Sequence, residues 1–245
     1  MQRIVLRLFV ALLTFALGVA ITAIISMKLF PMLSPTNVAK VEEPKIDITI
    51  SPPNLSCYPG RSIETATIKS SAYFPPKILS ENEHSDKFKV DWYSRHLGAM
   101  DEAPLYFSDD GWLESYRFLW LRSFHHPVAV HIWRCGSVRF IAVKEMSGAG
   151  GYEPGKLTLN KTRELSMAEW NEFKRHLNDS CYWQLPTTDE NVGFDGAQWI
   201  FEAVEGGRYH IVDRWSPQNG SYRGLCLYAL ELSGLKIDTA SEPLY

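Results

Sequence analysis

Hydrophobic residues recur at every second position in four consecutive segments, which predicts four strands. The segments are 116–124, 128–134, 138–145 and 157–162. In the first, aromatic residues up to Phe124 occupy one face, and Leu119 and Leu121 occupy the other. This strand is therefore expected to be central and buried on both faces. Because the connections are short, an antiparallel meander is the simplest assembly.

The period then changes to that of a helix. Ser166 and Glu169 form a capping box, and Leu165 is placed to pack on Trp170, so a helix is predicted to begin at this point. A second helix is predicted over 221–233, where the sequence is apolar nearly all round. Helices of this kind are expected to pack on a sheet.

Between the two predicted helices, segments 197–205 and 208–215 flank the pair Gly206-Gly207. Two glycines suit a tight hairpin turn, which fixes a register that pairs Trp199 with Arg214. The complete order is β-β-β-β-α-β-β-α, an α+β fold in which two helices pack on an antiparallel sheet.

Residues 8–27 (LFVALLTFALGVAITAIISM) contain no charged side chain. As a helix they would span about 30 Å, the thickness of a bilayer core. Arg3 and Arg7 precede them, which favours a cytoplasmic N-terminus and an extracytoplasmic C-terminal domain. A cleaved signal peptide is the alternative, but the apolar run is longer than such peptides usually have. The sequence therefore predicts a single-pass cell-membrane protein.

Three regions follow from this pattern. Residues 1–30 form the predicted membrane anchor, and residues 31–86, which are rich in proline, form a predicted linker. Residues 87–245 form the predicted soluble α+β domain, which is large enough for one core.

Composition narrows the possible partners. The net charge of -3 and the isoelectric point of about 6.2 provide no basic field for phosphates, so nucleic acid is not an expected partner. The four cysteines include no CxxC pair, so no zinc site is predicted. Cys181 and Cys226 can pair if the domain lies outside the cytoplasm, or they can be free buried thiols.

The segment GGYEPGK at 150–156 matches most of a phosphate-binding loop, but Leu157 stands where that motif has a hydroxyl. A strand rather than a helix is expected to follow, so nucleotide binding has no structural basis. Tyr152 and Glu153 remain candidate ligand contacts because they rim a glycine-rich loop.

Four further side chains are candidates for ligand binding: His125, His210, Asp213 and Trp215. Neighbouring strand residues point to opposite faces, so no metal site is predicted, although a cross-strand combination of His125 with His131 or His210 stays geometrically open. No other cofactor is predicted. Catalytic residues stay unassigned, since the sequence has no nucleophile motif.

Two acidic pairings are possible beside these candidates, Asp195 with Glu202 and Glu202 with Asp213. A solvated face, salt-bridged through Arg117 and other arginines, is the alternative interpretation of these carboxylates.

Three strings resemble those of a family of membrane-anchored bacterial proteins of unknown function. They are FLWLRSFHHP at 118–127, GAGGYEPGKL at 148–157, and DGAQWIFE through YHIVDRWSP at 195–217. The resemblance implies one coherent domain and a bacterial origin, and it implies no activity or residue role.

The leading functional hypothesis is a binding or interaction module, anchored in lipid through residues 8–27 and displaying its domain to a protein or small-molecule partner. The alternative is an extracytoplasmic hydrolase that uses His125 or His210 with Asp195, Glu202 or Asp213.

Overall fold

The computed structural model describes residues 73–106, 114–189, 191–237 and 244–245. Within these ranges six strands form one sheet: β1 Glu114–Arg122, β2 Val128–Cys135, β3 Val138–Met146, β4 Leu157–Glu164, β5 Ala197–Glu205 and β6 Arg208–Trp215. The helices there are α1 Glu83–Ala99, α2 Met167–Asp179 and α3 Ser221–Ser233, with a short 3-10 helix at Tyr182–Gln184.

The predicted anchor at residues 8–27 lies outside the described residues. Among the helices that are described, none combines the length and the apolar content needed to cross a bilayer.

All neighbouring strands are antiparallel, in the order β4-β3-β2-β1-β5-β6. The predicted meander of the first four strands is confirmed, and the β5–β6 hairpin adds beside β1. Its register is also as predicted, with Trp199 opposite Arg214. Gly206 and Gly207 have φ values of 58° and 74°, which L-residues with a Cβ rarely adopt.

One face of the sheet, the aromatic face, packs against α2 and α3. Its contacts include the rings of Tyr116 and Phe173, whose centroids are 5.0 Å apart. The predicted capping box of Ser166 and Glu169 is present at the start of α2. Phe124 does not belong to this face, contrary to prediction, because β1 ends at Arg122 and leaves Phe124 55% exposed.

The opposite face, the α1 face, packs against a helix that the sequence pattern did not predict. Tyr93 and Leu97 of α1 lie in one buried cluster with Leu119 and Leu121 of β1. The described residues therefore contain three packed α-helices, one more than the two that were predicted. Three of the five buried residues of α1 are polar, so this helix has no continuous apolar stripe to reveal it.

The packed structure also extends upstream of residue 87. Asp86 accepts hydrogen bonds from the backbone N–H groups of Lys77, Leu79 and Ser80 at 3.0, 2.9 and 3.2 Å. Leu79 is 1% exposed within the cluster of the α1 face. Residues assigned to the end of the 31–86 linker thus take part in the core.

Candidate functional site

Ionisable side chains meet in the interior of the α1 face. We call this group the ionic cluster; it consists of Glu102, Arg117, His131, Lys144 and Glu202. Arg117 of β1 stands directly opposite His131 of β2 and Glu202 of β5, so three neighbouring strands contribute one row. Glu102 reaches the row from the segment after α1, and Lys144 reaches it from β3.

Arg117 is the centre of the cluster. Its Nη2 and Nε donate to Oε2 of Glu202 at 2.6 and 2.9 Å, and its Nη1 donates to the Ala103 carbonyl at 2.6 Å. The Tyr209 hydroxyl donates to the other oxygen of Glu202 at 2.9 Å. Burial acts to lower the pKa of Arg117, but the two glutamates outweigh it and raise that pKa. The guanidinium is therefore charged and satisfied.

Glu102 receives the remaining donors. Lys144 Nζ lies 2.8 Å from Oε1, and His131 Nδ1 lies 3.1 Å from Oε2. Burial acts to raise the pKa of Glu102, but His131, Arg117 and Lys144 together hold it well below its ordinary range. Glu102 is consequently an ionised carboxylate inside the protein.

His131 links Glu102 to a serine on β1. With Nδ1–H donating to Glu102, its Nε2 accepts from Ser115 Oγ at 2.8 Å. Hydroxyl, imidazole and carboxylate in this order form the series found in nucleophilic triads. Ser115 is only 1% exposed, and Lys144 and Arg117 also engage Glu102. In this conformation the series is closed to solvent.

A further buried carboxylate, Asp213, joins α1 to the sheet. It accepts from Lys89 Nζ at 2.8 Å and from the Tyr93 hydroxyl at 3.1 Å, both on α1. Gln198 of β5 donates to its other oxygen. The two contacts from α1 fix the helix on the sheet, and with Gln198 they leave Asp213 no free oxygen directed at a cleft.

The predicted site residues do not converge. His125 is half-buried with its ring 6.3 Å from that of Tyr245. His210 lies on the opposite face from Asp213, as alternation requires, and its Nε2 donates to the Leu185 carbonyl at 3.0 Å. Burial lowers the pKa of His210. Asp195 is exposed, and within the described residues it forms no ion pair with either histidine.

The loop candidates have structural partners. Glu153 forms an ion pair of 2.7 Å with Arg95, and the Tyr152 ring lies 6.2 Å from that of Phe124. The glycines of this loop pack closely; the Gly150 carbonyl, for example, accepts from the Trp92 indole at 2.7 Å. As predicted, a strand follows the loop rather than a phosphate-binding helix. Trp215 covers Gly193 and Gly196, where a Cβ would overlap its ring.

Glu202 and Asp213 share the α1 face, as the predicted register required, but each has its own cationic partner. The interpretation of these carboxylates as a solvated face is wrong, because their side chains are 1% and 0% exposed. No three His, Cys, Asp or Glu side chains within the described ranges are placed to hold a metal ion.

The ionic cluster was missed although the sequence contains a signal for it. Arg117 interrupts a segment whose two faces are both predicted to be buried, and a buried arginine requires an acidic partner. That partner, Glu202, is 85 residues away, and the β1–β5 pairing that brings it close has no local sequence signature.

A groove runs beside β4, on the aromatic-face side of the sheet, and has a volume of about 430 Å³. Ile141 and Val143 of β3 form its floor, and Lys161 and Arg163 of β4 form its rim. Ser233 closes it at the end of α3. None of the predicted site residues lines this groove.

The two edges of the sheet differ. Residues 185–187 run along β6: the Thr187 carbonyl accepts from the Asp213 N–H at 2.7 Å, and the Pro186 carbonyl accepts from Arg214 at 2.6 Å. Along β4, by contrast, all side chains except that of Leu159 are exposed. The groove and the exposed edge together form the principal candidate binding surface, which we call the β4 surface.

The structure describes the bonding state of three of the four cysteines. Cys135 is disulfide-bonded, whereas Cys181 and Cys226 are free thiols. The predicted alternative in which Cys181 pairs with Cys226 is therefore wrong. Cys57 lies outside the described residues.

No model of a known protein family and no curated protein sequence matches this chain. The resemblance to membrane-anchored bacterial proteins accordingly remains a prediction. The function has to be inferred from the geometry of the described residues.

Proposed function

We propose that this protein is an interaction module that residues 8–27 hold in the membrane, with its α+β domain on the extracytoplasmic side and a protein partner on the β4 surface. The observation that carries the proposal is the contrast between the two sheet edges. Residues 185–187 of the chain cover β6, whereas none of the described residues covers β4 and the adjacent groove.

The burial of the charges supports binding rather than chemistry at this surface. Every member of the ionic cluster is engaged within the α1 face, on the other side of the sheet from the groove. A partner at the β4 surface would meet backbone groups and exposed side chains, which are the usual means of recognition by a sheet edge.

The disulfide of Cys135 supports the location. Disulfides persist in oxidising compartments outside the cytoplasm and are rare within it. An extracytoplasmic domain also agrees with the arginines that precede residues 8–27. The location can be tested with alkaline phosphatase fused after Tyr245 of the full chain in a bacterial host. We expect an active enzyme in the membrane fraction, and an inactive fusion would contradict the proposal.

Binding at the β4 surface can be tested by incorporating a photocrosslinking amino acid at Lys161 of the full chain in its native membrane. Asn171, which is also exposed but lies on α2, is the matched control position. We expect a discrete adduct from position 161 that is absent from position 171. Equal labelling at both positions, or none at 161, would refute the proposal.

A hydrolase is the second candidate, favoured by the Ser115–His131–Glu102 series alone. Its requirement is that Ser115, now 1% exposed, become accessible to substrate. A fluorophosphonate probe should then label the wild-type protein and fail to label Ser115→Ala. If the wild type stays unlabelled, the series is a structural network only.

A further inference from the structure

We infer that β4 binds an extended acidic peptide segment of a partner protein as a seventh, antiparallel or parallel, strand of the sheet. This inference rests on the proposed function, since it specifies the chemistry of the partner at the β4 surface. Backbone geometry, the contrast between the edges and the charge of β4 each bear on it.

The backbone of β4 has hydrogen-bonding groups that point away from the sheet. The Leu165 N–H donates to the Arg139 carbonyl directly opposite, and Met146 donates likewise to Pro127. Because bonding pairs alternate along antiparallel strands, the odd-numbered residues of β4 bond to β3. The N–H and C=O groups of Asn160 and Thr162 therefore point outward.

On β6 the same alternation of inward and outward backbone groups has a different outcome. Asp213 is an outward-facing residue there, and the protein's own Thr187 carbonyl accepts its N–H. Among the described residues, no group bonds to the outward backbone of Asn160 or Thr162. A peptide strand laid along β4 would supply the missing bonds, as strand addition does at other open edges.

The charge of β4 selects the occupant. Lys161 and Arg163 project on the groove side of the strand, and Lys156 precedes it, against the single acidic residue Glu164. Arg163 already contacts Glu169 at 2.8 Å and the Leu232 carbonyl at 2.7 Å, which fixes its position. Lys161 has no carboxylate partner among the described residues.

Basic residues on an edge strand also discourage association between copies of one protein. Two β4 strands would place lysine and arginine close to lysine and arginine, and like charges across a pair of strands are unfavourable. An acidic strand meets the opposite situation, with alternate glutamates facing Lys161 and Arg163. The same side chains thus disfavour a second copy and favour an acidic partner.

The test uses a fluorescent peptide matched in length to β4, with glutamate at alternate positions and threonine or valine between them. The control peptide has lysine for each glutamate. We expect the acidic peptide to bind the purified full chain in detergent and the basic peptide not to bind, as measured by fluorescence anisotropy. Affinity should fall as salt is raised.

Two substitutions of β4 distinguish strand addition from adsorption to positive charge. Thr162→Pro removes an outward N–H while leaving the bonds to β3, and proline is tolerated at such edge positions. We expect it to weaken peptide binding about tenfold or more, which corresponds to the loss of one to two hydrogen bonds. Thr162→Val, the matched control, should bind as the wild type does, and Lys161→Glu should bind about tenfold more weakly.

Circular dichroism shows whether Thr162→Pro remains folded. If the variant is unfolded, the test is instead amide exchange of Asn160 and Thr162 in the wild-type protein, measured with and without peptide. Equal binding of both peptides, or no new protection of these amides, would overturn the inference. A dimer that Thr162→Pro dissociates would also overturn it, since the occupant would then be a second copy. If the peptide tests fail in this way, a discrete photocrosslink from position 161 in cells would still support the proposed function. The two experiments therefore distinguish this inference from the proposed function.

Discussion

Buried charge dominates the α1 face at the scale of single residues. An arginine in the interior is stable only when its desolvation is offset by close carboxylates, and Arg117 has two of them within 3.5 Å. The cost of breaking such a pair is larger than the net stability it provides, because the remaining charge stays buried without compensation. The cluster is thus expected to specify the register of β1 on β5.

Glu202→Gln is expected to lower the free energy of unfolding by about 3 kcal/mol, because it leaves the buried Arg117 guanidinium without its principal counterion. Urea denaturation measures the change. Asp91→Asn is the matched control: it breaks an ion pair with Lys87 whose side chains are 59% and 73% exposed. Such exposed pairs contribute less than about 1 kcal/mol. Equal losses in the two variants would show that burial of the pair has no energetic role.

His96 gives the fold a dependence on pH. It is 0% exposed on α1, and burial, aided by Arg95, lowers its pKa from 6.5 to about 4. The unfolded chain therefore binds a proton more readily than the folded one, and stability is lost as the pH falls from 6.5 towards 4. Between pH 7 and pH 5 this residue should account for about 2 kcal/mol.

The measurement is urea unfolding of His96→Gln and wild type at both pH values. The variant should lose less stability on acidification, whereas His84→Gln, which changes an exposed histidine of the same helix, should behave as the wild type does. Parallel losses in all three proteins would exclude His96 as the cause.

At the scale of elements, local sequence signals identified most of the sheet. Alternation located β1 to β4, and Gly206-Gly207 determined the β5–β6 register because a two-residue turn leaves no other pairing. The hydrophobic pattern did not predict helix α1, because Asp86, Ser94 and His96 are buried on it in place of apolar residues. Its packing depends on distant partners, and periodicity contains no information about those.

The start of α2 illustrates a local signal that is also energetic. Ser166 Oγ accepts from the Glu169 N–H at 3.2 Å, and the Glu169 carboxylate accepts from the Ser166 N–H at 2.8 Å. Ser166→Ala should cost about 1 kcal/mol in thermal or urea unfolding, because an N–H of the first turn loses its acceptor. Ser166→Thr, which keeps the hydroxyl, should cost much less. A neutral alanine variant would mean that solvent caps this helix equally well.

At the scale of the whole molecule, the α+β fold class could be predicted from the sequence, but the ionic cluster could not. Long-range pairing of β1 with β5 assembles the ionic cluster, and the segment after α1 adds Glu102 to it. Local patterns do not specify either event. The same limit applies to candidates chosen by residue type, such as His125 and His210. Their residue type does not indicate which strands become neighbours, so their separation could not be predicted.

The reactivity of the cysteines tests both the fold and the proposed extracytoplasmic location. Cys181 is exposed and Cys226 is buried, and burial raises the pKa of the Cys226 thiol. A maleimide should therefore label Cys181 in the native protein and Cys226 only after denaturation. Cys135 should react only after reduction, as peptide mass spectrometry of the labelled protein can show. Labelling of Cys135 without reductant would remove the disulfide argument for an extracytoplasmic domain.

A sheet with one covered edge can be lengthened in one direction only. Whatever strand pairs with β4, residues 185–187 still lie along β6, so a further copy of the domain cannot add at that edge. In the part of the chain that the structure describes, this covered edge therefore opposes open-ended fibres built by edge-to-edge stacking of the domain. If β4 binds a partner strand as proposed, the product is a discrete one-to-one assembly.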